Sequence, residues 1–260
     1  MLEQKDILRR VRAFLSREAP RIARLNGYYL GRQDILRPPR DPVKPDNRLV
    51  NAFCRNITDC TVGYFMGRGV RYDVSDPRTA AWLAAVADAS DERFVNNALA
   101  RDLSVCGRAA ELLWYDAARG LPRFTPLPAG SVFPVWDGSV DPALLAAIRV
   151  YRPEDADGYT VEVYDGNAVT EFAFDGASLT ERARREHFFG EVPVVFYDNN
   201  RDRQGDFETV LSLVDAYDRL QSASVNDFEL FADSYLAISG MGATDEEDLA
   251  RIRRDRVILL

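Results

Sequence analysis

The sequence predicts an α+β fold in which helices come first, antiparallel strands follow and a long helix returns, unlike the strict alternation of a doubly wound fold. Three observations carry this prediction. Apolar residues recur at helical spacing over the first hundred positions, short alternating runs broken by Asp-Gly and Pro fill the middle, and one helical stripe runs on from Asp206.

At the start of the chain, Ile7, Leu8, Val11, Phe14 and Leu15 share a helical face within residues 2–18, and a second helical stretch runs from Ile22 to Leu30 before Gly31. Pro38, Pro39, Pro42 and Pro45 then each fix their own backbone and disfavour helix in the preceding residue, so Arg32 to Asp46 is expected to be an extended arm or loop. Asp46 is a good N-cap residue. From it Leu49, Val50, Phe53, Cys54, Ile57, Cys60, Thr61, Tyr64 and Phe65 follow a helical period that Gly67 ends. "VRYDV" alternates as a strand, and "DPRTAAWLAAVADA" restarts helix with Asp76 as the cap and Pro77 at the first helical position. A further helix covers Glu92 to about Cys106.

In the middle, "AAELLWYDAARGLPRFTPLPAGSVFPVWDG" and "YTVEVYDGNAVTEFAFDGASLTERAR" predict hairpins, with Asp165-Gly166 and Asp175-Gly176 as turns. After "VPVVFYDNN", Asp206 is expected to cap the longest helix, which reaches about Ser234. Its stripe is Val210, Leu213, Val214, Tyr217, Leu220, Ser224, Phe228, Phe231 and Tyr235. A strand in "YLAISG", a short helix from Thr244 with Glu247 in a capping box, and a terminal "RVILL" follow.

Composition narrows the function classes. A chain of 260 residues, 47% hydrophobic and 28% charged, can bury a sizeable core in one large domain or two smaller ones. No apolar run approaches the roughly 18 residues of a membrane span, and "MLEQKDILRRVRAF" lacks the apolar core of a signal peptide, so a soluble, intracellular origin is expected. Cys54, Cys60 and Cys106 are too few for a disulfide framework and are expected to be buried thiols; His187, the single histidine, leaves no partner for a Cys/His zinc site. The net charge of -8 disfavours tight DNA binding, which draws its affinity from neutralising phosphates. With Lys5 and Lys44 the only lysines, positive charge is almost all arginine. That suits bidentate pairing with carboxylates between chains, and it equally fits the base composition of a genome.

No motif supplies chemistry. In "VGYFMGRGVRYDV", Gly63, Gly67 and Gly69 fall at the end of a helix and ahead of a strand, the reverse of a phosphate loop, so they read as helix termination. No Gly-x-Ser-x-Gly occurs, and His187 sits in "RREHFFG" between a basic run and two phenylalanines, where a packing or surface role is expected. The acids of "TDEED" at 244–248 complement the first turn of a helix, and the aromatics of "GYYLGRQDILRPPR" anchor structure more readily than they stack on bases. The sequence therefore offers no catalytic, cofactor or metal constellation, and a non-enzymatic structural or assembly protein is what remains.

"GYYLGRQDILRPP", "KPDNRLVNAFCRNITDCTVGYFMGRGVRYDV" and "VPVVFYDNNRDRQGDFETVLSLVDAYDRLQSASVNDFELFADSYLAISG" resemble the portal proteins of tailed bacteriophages, in the family of the phage SPP1 portal. The likeness runs in order over most of the chain, across a more variable β-rich middle. It implies a ring, typically a dodecamer, at one capsid vertex, a virion protein assembled in the host cytoplasm through which double-stranded DNA is packaged and ejected. Terminase, capsid and head-completion proteins would be its partners. By order, residues 1–205 would be a wing, 206–234 the first stem helix and 235–260 the beginning of a clip, the remainder of the family's architecture lying past Leu260. Two other readings stand beside it: a carboxylate- and Mg²⁺-dependent phage nuclease, and a head-to-tail adaptor.

Within the stem helix, Val210, Leu213, Tyr217, Leu220, Phe228 and Phe231 are the candidate subunit-packing stripe, and Glu208, Asp215, Glu229 and Asp233, on the opposite face, are candidate channel-facing acids. A solvated outer face is the alternative for the acids. Like charge along a channel would keep DNA from sticking to it.

Overall fold

The computed structural model describes residues 2–38, 45–154 and 158–232, together with the backbone of 236–238 and 257–259. The chain divides into two compact units, one of residues 1–32 and 52–211, the other of 33–51 and 212–260.

The first unit begins with α1 (Gln4–Ala13), a wider π-helical turn over Phe14–Glu18 and α2 (Ala19–Tyr29), continuous where the sequence suggested two pieces. Then come α3 (Phe53–Met66), α4 (Pro77–Ser90) and α5 (Glu92–Cys106). Asp76 caps α4 as expected, its carboxylate accepting from the Thr79 backbone N–H at 2.9 Å and from the Thr79 hydroxyl. Two expectations fail here. Val70–Val74 pairs with no strand among the described residues, and α3 begins at Phe53, because Asp46 spends its carboxylate on Arg48 instead of capping a helix.

Strands β1 (Arg108–Asp116), β2 (Leu121–Leu127), β3 (Val132–Trp136), β4 (Leu144–Tyr151), β5 (Tyr159–Tyr164), β6 (Ala168–Phe174), β7 (Leu179–Glu186) and β8 (Val194–Asp198) complete the unit. They form a five-stranded antiparallel meander, β3-β4-β5-β6-β7, and a three-stranded sheet, β2-β1-β8. The predicted turns close the meander. Asp165 Oδ1 accepts from the amides of Asn167 and Ala168, Asp175 Oδ1 accepts from those of Ala177 and Ser178, and Gly176 takes the positive φ, 95°, that an Asp-Gly turn uses. His187 packs beside the first of these turns, with Nε2 2.9 Å from the Asp165 carbonyl.

Strict alternation in β6 buries Ala168, Thr170, Phe172 and Phe174 on one face. That face meets Ile7 and Val11 of α1 over a core that includes Val135, Ile148, Val161 and Phe174, with Phe14 stacked on Phe133 at 4.6 Å between centroids. The other face of the meander brings Ala147 and Tyr164 against Ala110, Leu127 and Val194 of the smaller sheet, giving helix, sheet and sheet in layers. Cys54 and Cys106 are buried; Cys60, expected to be buried, is exposed, because α3 packs only through Cys54 and Thr58 while Cys60 lies on the other side of the helix.

In the second unit, the arm Pro45–Asn51 runs without helix or strand to the boundary and α6 (Leu211–Ala232) is the long helix. β9 (Leu236–Ile238) and β10 (Val257–Leu259) pair in parallel, at the two places where the sequence suggested strands. The expected Thr244 helix and the 244–248 acids lie outside the described residues.

Candidate functional site

The sequence places its candidate residues on the long helix; one fixture lies in the first unit just before that helix in sequence, and another lies in the second unit along it. The first fixture belongs to the first unit and sits where the chain enters the helix. α5 ends at Cys106, and Gly107, with φ 78°, turns the chain into β1. The loop after β8 lies over this corner, with Asn199 N–H donating to Gly107 O at 3.0 Å and Asp206 N–H to Ser104 O at 2.7 Å. Arg21 closes the clasp from α2. Its Nε donates to Glu208 Oε1 at 2.6 Å, its Nη2 to Glu208 Oε2 and, at 3.0 Å, to Arg203 O. The hydrogen bond to Glu208 raises the Arg21 guanidinium above its ordinary pKa, with burial opposing it. A Cβ on Gly205 would lie 2.3 Å from Val105 O and one on Gly107 2.1 Å from Arg203 O, so the two strands of the clasp touch backbone to backbone.

This clasp sets apart two of the predicted residues. Glu208 and Val210 lie in a 3-10 turn, Glu208–Val210, that precedes α6, and Asp206 does not cap the helix. Glu208 accepts from Arg21 and from the Gly205 amide, so its place is in the clasp rather than on the face of the helix.

The second fixture lies within the second unit, where the arm runs antiparallel along α6. Asn51 donates to Asp218 Oδ1 from its backbone N (3.0 Å) and from Nδ2 (2.8 Å), Leu49 N–H donates to Ser222 Oγ at 2.9 Å, and Asn47 N–H donates to Asn226 Oδ1 at 2.7 Å. Asn51 Nδ2 also reaches Gln221 Oε1, and Asn47 Nδ2 reaches Asn226 and Glu229. The spacing is mechanical: four helical residues rise about 6.0 Å and two extended residues about 6.6 Å, so every second arm residue meets every fourth helix residue. Asp218 and Ser222 are fully buried polar residues of this rail. Sequence reasoning missed it. The signal available was Asp218, Ser222 and Asn226 at strict four-residue spacing, a polar stripe inside an otherwise apolar helix.

The apolar stripe lies elsewhere on α6. Leu213, Leu220, Phe228 and Phe231 are 65–76% exposed and Tyr217 is 40% exposed, whereas Val214, grouped with them in the sequence, is buried on the rail side. Asp215 is half-buried and Glu229 is exposed, both on the side of the arm; Asp233 lies outside the described residues. The arm and α6 enclose a cleft of about 520 Å³ lined by Asp34, Asp46, Arg48, Asp215, Arg219 and Asn226 among others. Among the described residues, no group of three or more His, Cys, Asp or Glu is placed to hold a metal ion, and no helix is long and apolar enough to cross a membrane.

A family model described as phage portal protein, SPP1 Gp6-like, matches residues 9–260. The chain is also similar to the portal protein of Clostridium phage phiCD119, 26% identical over 284 residues, an alignment that covers 96% of this chain and 62% of that relative. The chain thus spans less than two thirds of the relative's length.

Proposed function

Because the chain belongs to the SPP1 Gp6-like phage portal protein family, we propose that it is part of a ring at the capsid vertex through which double-stranded DNA is packaged and ejected. The observation that carries this reading is the exposed stripe of α6: Leu213, Leu220 and Phe228 expose large apolar side chains that a solitary soluble helix does not favour. In a ring each copy offers its neighbour one surface and receives another, and a helix with one covered and one bare face is suited to such a head-to-tail contact. The wing would be residues 1–205, the stem helix 206–234 and the clip would begin at 235. We take the copy number to be twelve by the family's habit, and the partners to be terminase, capsid and head-completion proteins in the virion.

The net charge of -8 supports a conduit, because a wall that does not neutralise phosphates holds DNA only weakly. Asp215 and Glu229 are the acids of this proposal on α6, whereas Glu208 is engaged by Arg21 in the clasp. The role is passage and assembly without hydrolysis, and the nuclease and adaptor readings have no observation in their favour. Negative-stain images of the complete gene product test the proposal. Closed rings are the expected result, and a strictly monomeric or two-fold dimeric protein across concentrations in light scattering would sink it.

A further inference from the structure

We propose that the arm Asp46–Asn51 is a releasable strap that opens from α6 as one cooperative unit while the sheets of the first unit stay folded. The inference stands on the geometry of the second unit and does not depend on the portal reading.

Four observations point to it. The strap's bonds to α6 are hydrogen bonds through its main chain and two Asn side chains, at Asn47, Leu49 and Asn51, while Leu49 itself is 39% exposed and Val50 only half-buried. Such bonds replace bonds to water and leave only a small net gain apiece, while docking orders six residues, so gain and cost are of similar size. Closure also traps mismatches. Asp218 Oδ2 and Gln33 Oε1 are buried without a hydrogen bond among the described residues, although Gln33 Nε2 donates to Asn51 O at 2.7 Å and Asp218 Oδ1 accepts twice from Asn51. Buried acceptors left unsatisfied weaken the closed state, and opening returns water to them.

The third observation is that the rungs are linked. Asn51 bonds at once to Gln33, Asp218 and Gln221, and Asn47 to Asn226 and Glu229, so loss of one rung loosens its neighbours. The fourth is that the rail has ends. The next positions of the four-residue series are Val214 and Leu230, which offer the backbone nothing to bond, so the strap re-docks in one register only. Together these features describe an element that leaves and returns to the same place.

Amide hydrogen exchange on the 260-residue chain, read residue by residue, tests this. The amides of Asn47, Leu49 and Asn51 should share one opening equilibrium, about tenfold or more protected relative to Val50, and should exchange at least about a hundredfold faster than Val161 and Val163 in β5. Ser222→Ala should speed all three strap amides together by about tenfold, the loss of one hydrogen bond, and leave β5 unchanged. Asn226→Ala should do the same from the other end. Three results overturn the proposal: strap amides as slow as β5, which means opening only by global unfolding; no protection at Asn47, Leu49 and Asn51; or a Ser222→Ala effect confined to Leu49, which means independent bonds and no strap.

Discussion

If the clasp is what fixes the entry to α6, Gly107→Ala is the change that breaks it. Alanine at a φ of 78° costs about 1–2 kcal/mol for the left-handed backbone alone. Its Cβ would stand 2.1 Å from Arg203 O, a backbone atom that cannot swing aside, so the loop must lift. Lifting forfeits the Asn199 N–H to Gly107 O bond and the Arg21 Nη2 to Arg203 O bond, about 1 kcal/mol each. Together these amount to about 3–4 kcal/mol, or a midpoint lowered by roughly 10 °C for a chain of this size. The assay is thermal unfolding followed by circular dichroism, with Gly63→Ala as the internal control. At Gly63, inside α3, nothing lies within 4 Å of the new Cβ and φ is not positive, so alanine should stabilise by about 1 kcal/mol through helix propensity. Melting of Gly107→Ala within about 2 °C of the parent, in a run where Gly63→Ala rises, would show that the corner relaxes at no cost and that the clasp is not tight.

Three other outcomes follow from the same geometry. Leu220→Ser with Phe228→Ser, both on the bare stripe, should leave the stability of the isolated chain within about 0.5 kcal/mol and reduce self-association in sedimentation velocity; unfolding of the variant instead would mean that the stripe is internal core. Asp215→Lys with Glu229→Lys should slow DNA packaging and make it depend on salt, in rings of normal shape; unchanged rates across salt would show that these acids do not meet DNA. Asp198, between Arg108 and Arg203, gives a pH test. Burial pushes its carboxyl up, but the hydrogen bond and charge of Arg108, then those of Arg203, outweigh it and hold it below the ordinary value of 3.8. A lowered carboxyl contributes stability above its unfolded pKa and loses it as pH falls through the folded one. Asp198→Asn should therefore melt lower at pH 7 and lose less between about pH 5 and 2; parallel acid limbs for parent and variant would contradict the ion pairs.

The hairpins were legible because their signals are local. Asp165 and Asp175 bond the amides two and three residues on, which needs no information from elsewhere in the chain. The Asp76 cap was legible for the same reason. Asp46 carried an equally good cap signal and misled, because Arg48, two residues on, holds its carboxylate through two hydrogen bonds and the chain stays extended to reach α6. Val70–Val74 alternates like a strand but has no partner strand among the described residues, and alternation cannot announce a missing neighbour. Glu208 looked like one more acid of the helix; only the fold brings Arg21, 187 residues away in sequence, to meet it.

The long helix shows why one periodic pattern can conceal two roles. A helix that packs on one side only is expected to show apolar residues toward its neighbour and polar residues toward water. α6 reverses this within one chain: its covered side carries Asp218, Ser222 and Asn226, and its bare side carries Leu213, Leu220 and Phe228. The covered side suits a main-chain partner, since carboxylate, hydroxyl and amide oxygens accept from backbone N–H groups, which apolar side chains cannot do. The bare side suits a partner with side chains to bury. Filling the bare side thus needs no competition with the arm for the rail. A copy of the chain that met α6 through its stripe would leave every rung of the rail in place, and subunit contact and strap closure can then vary independently.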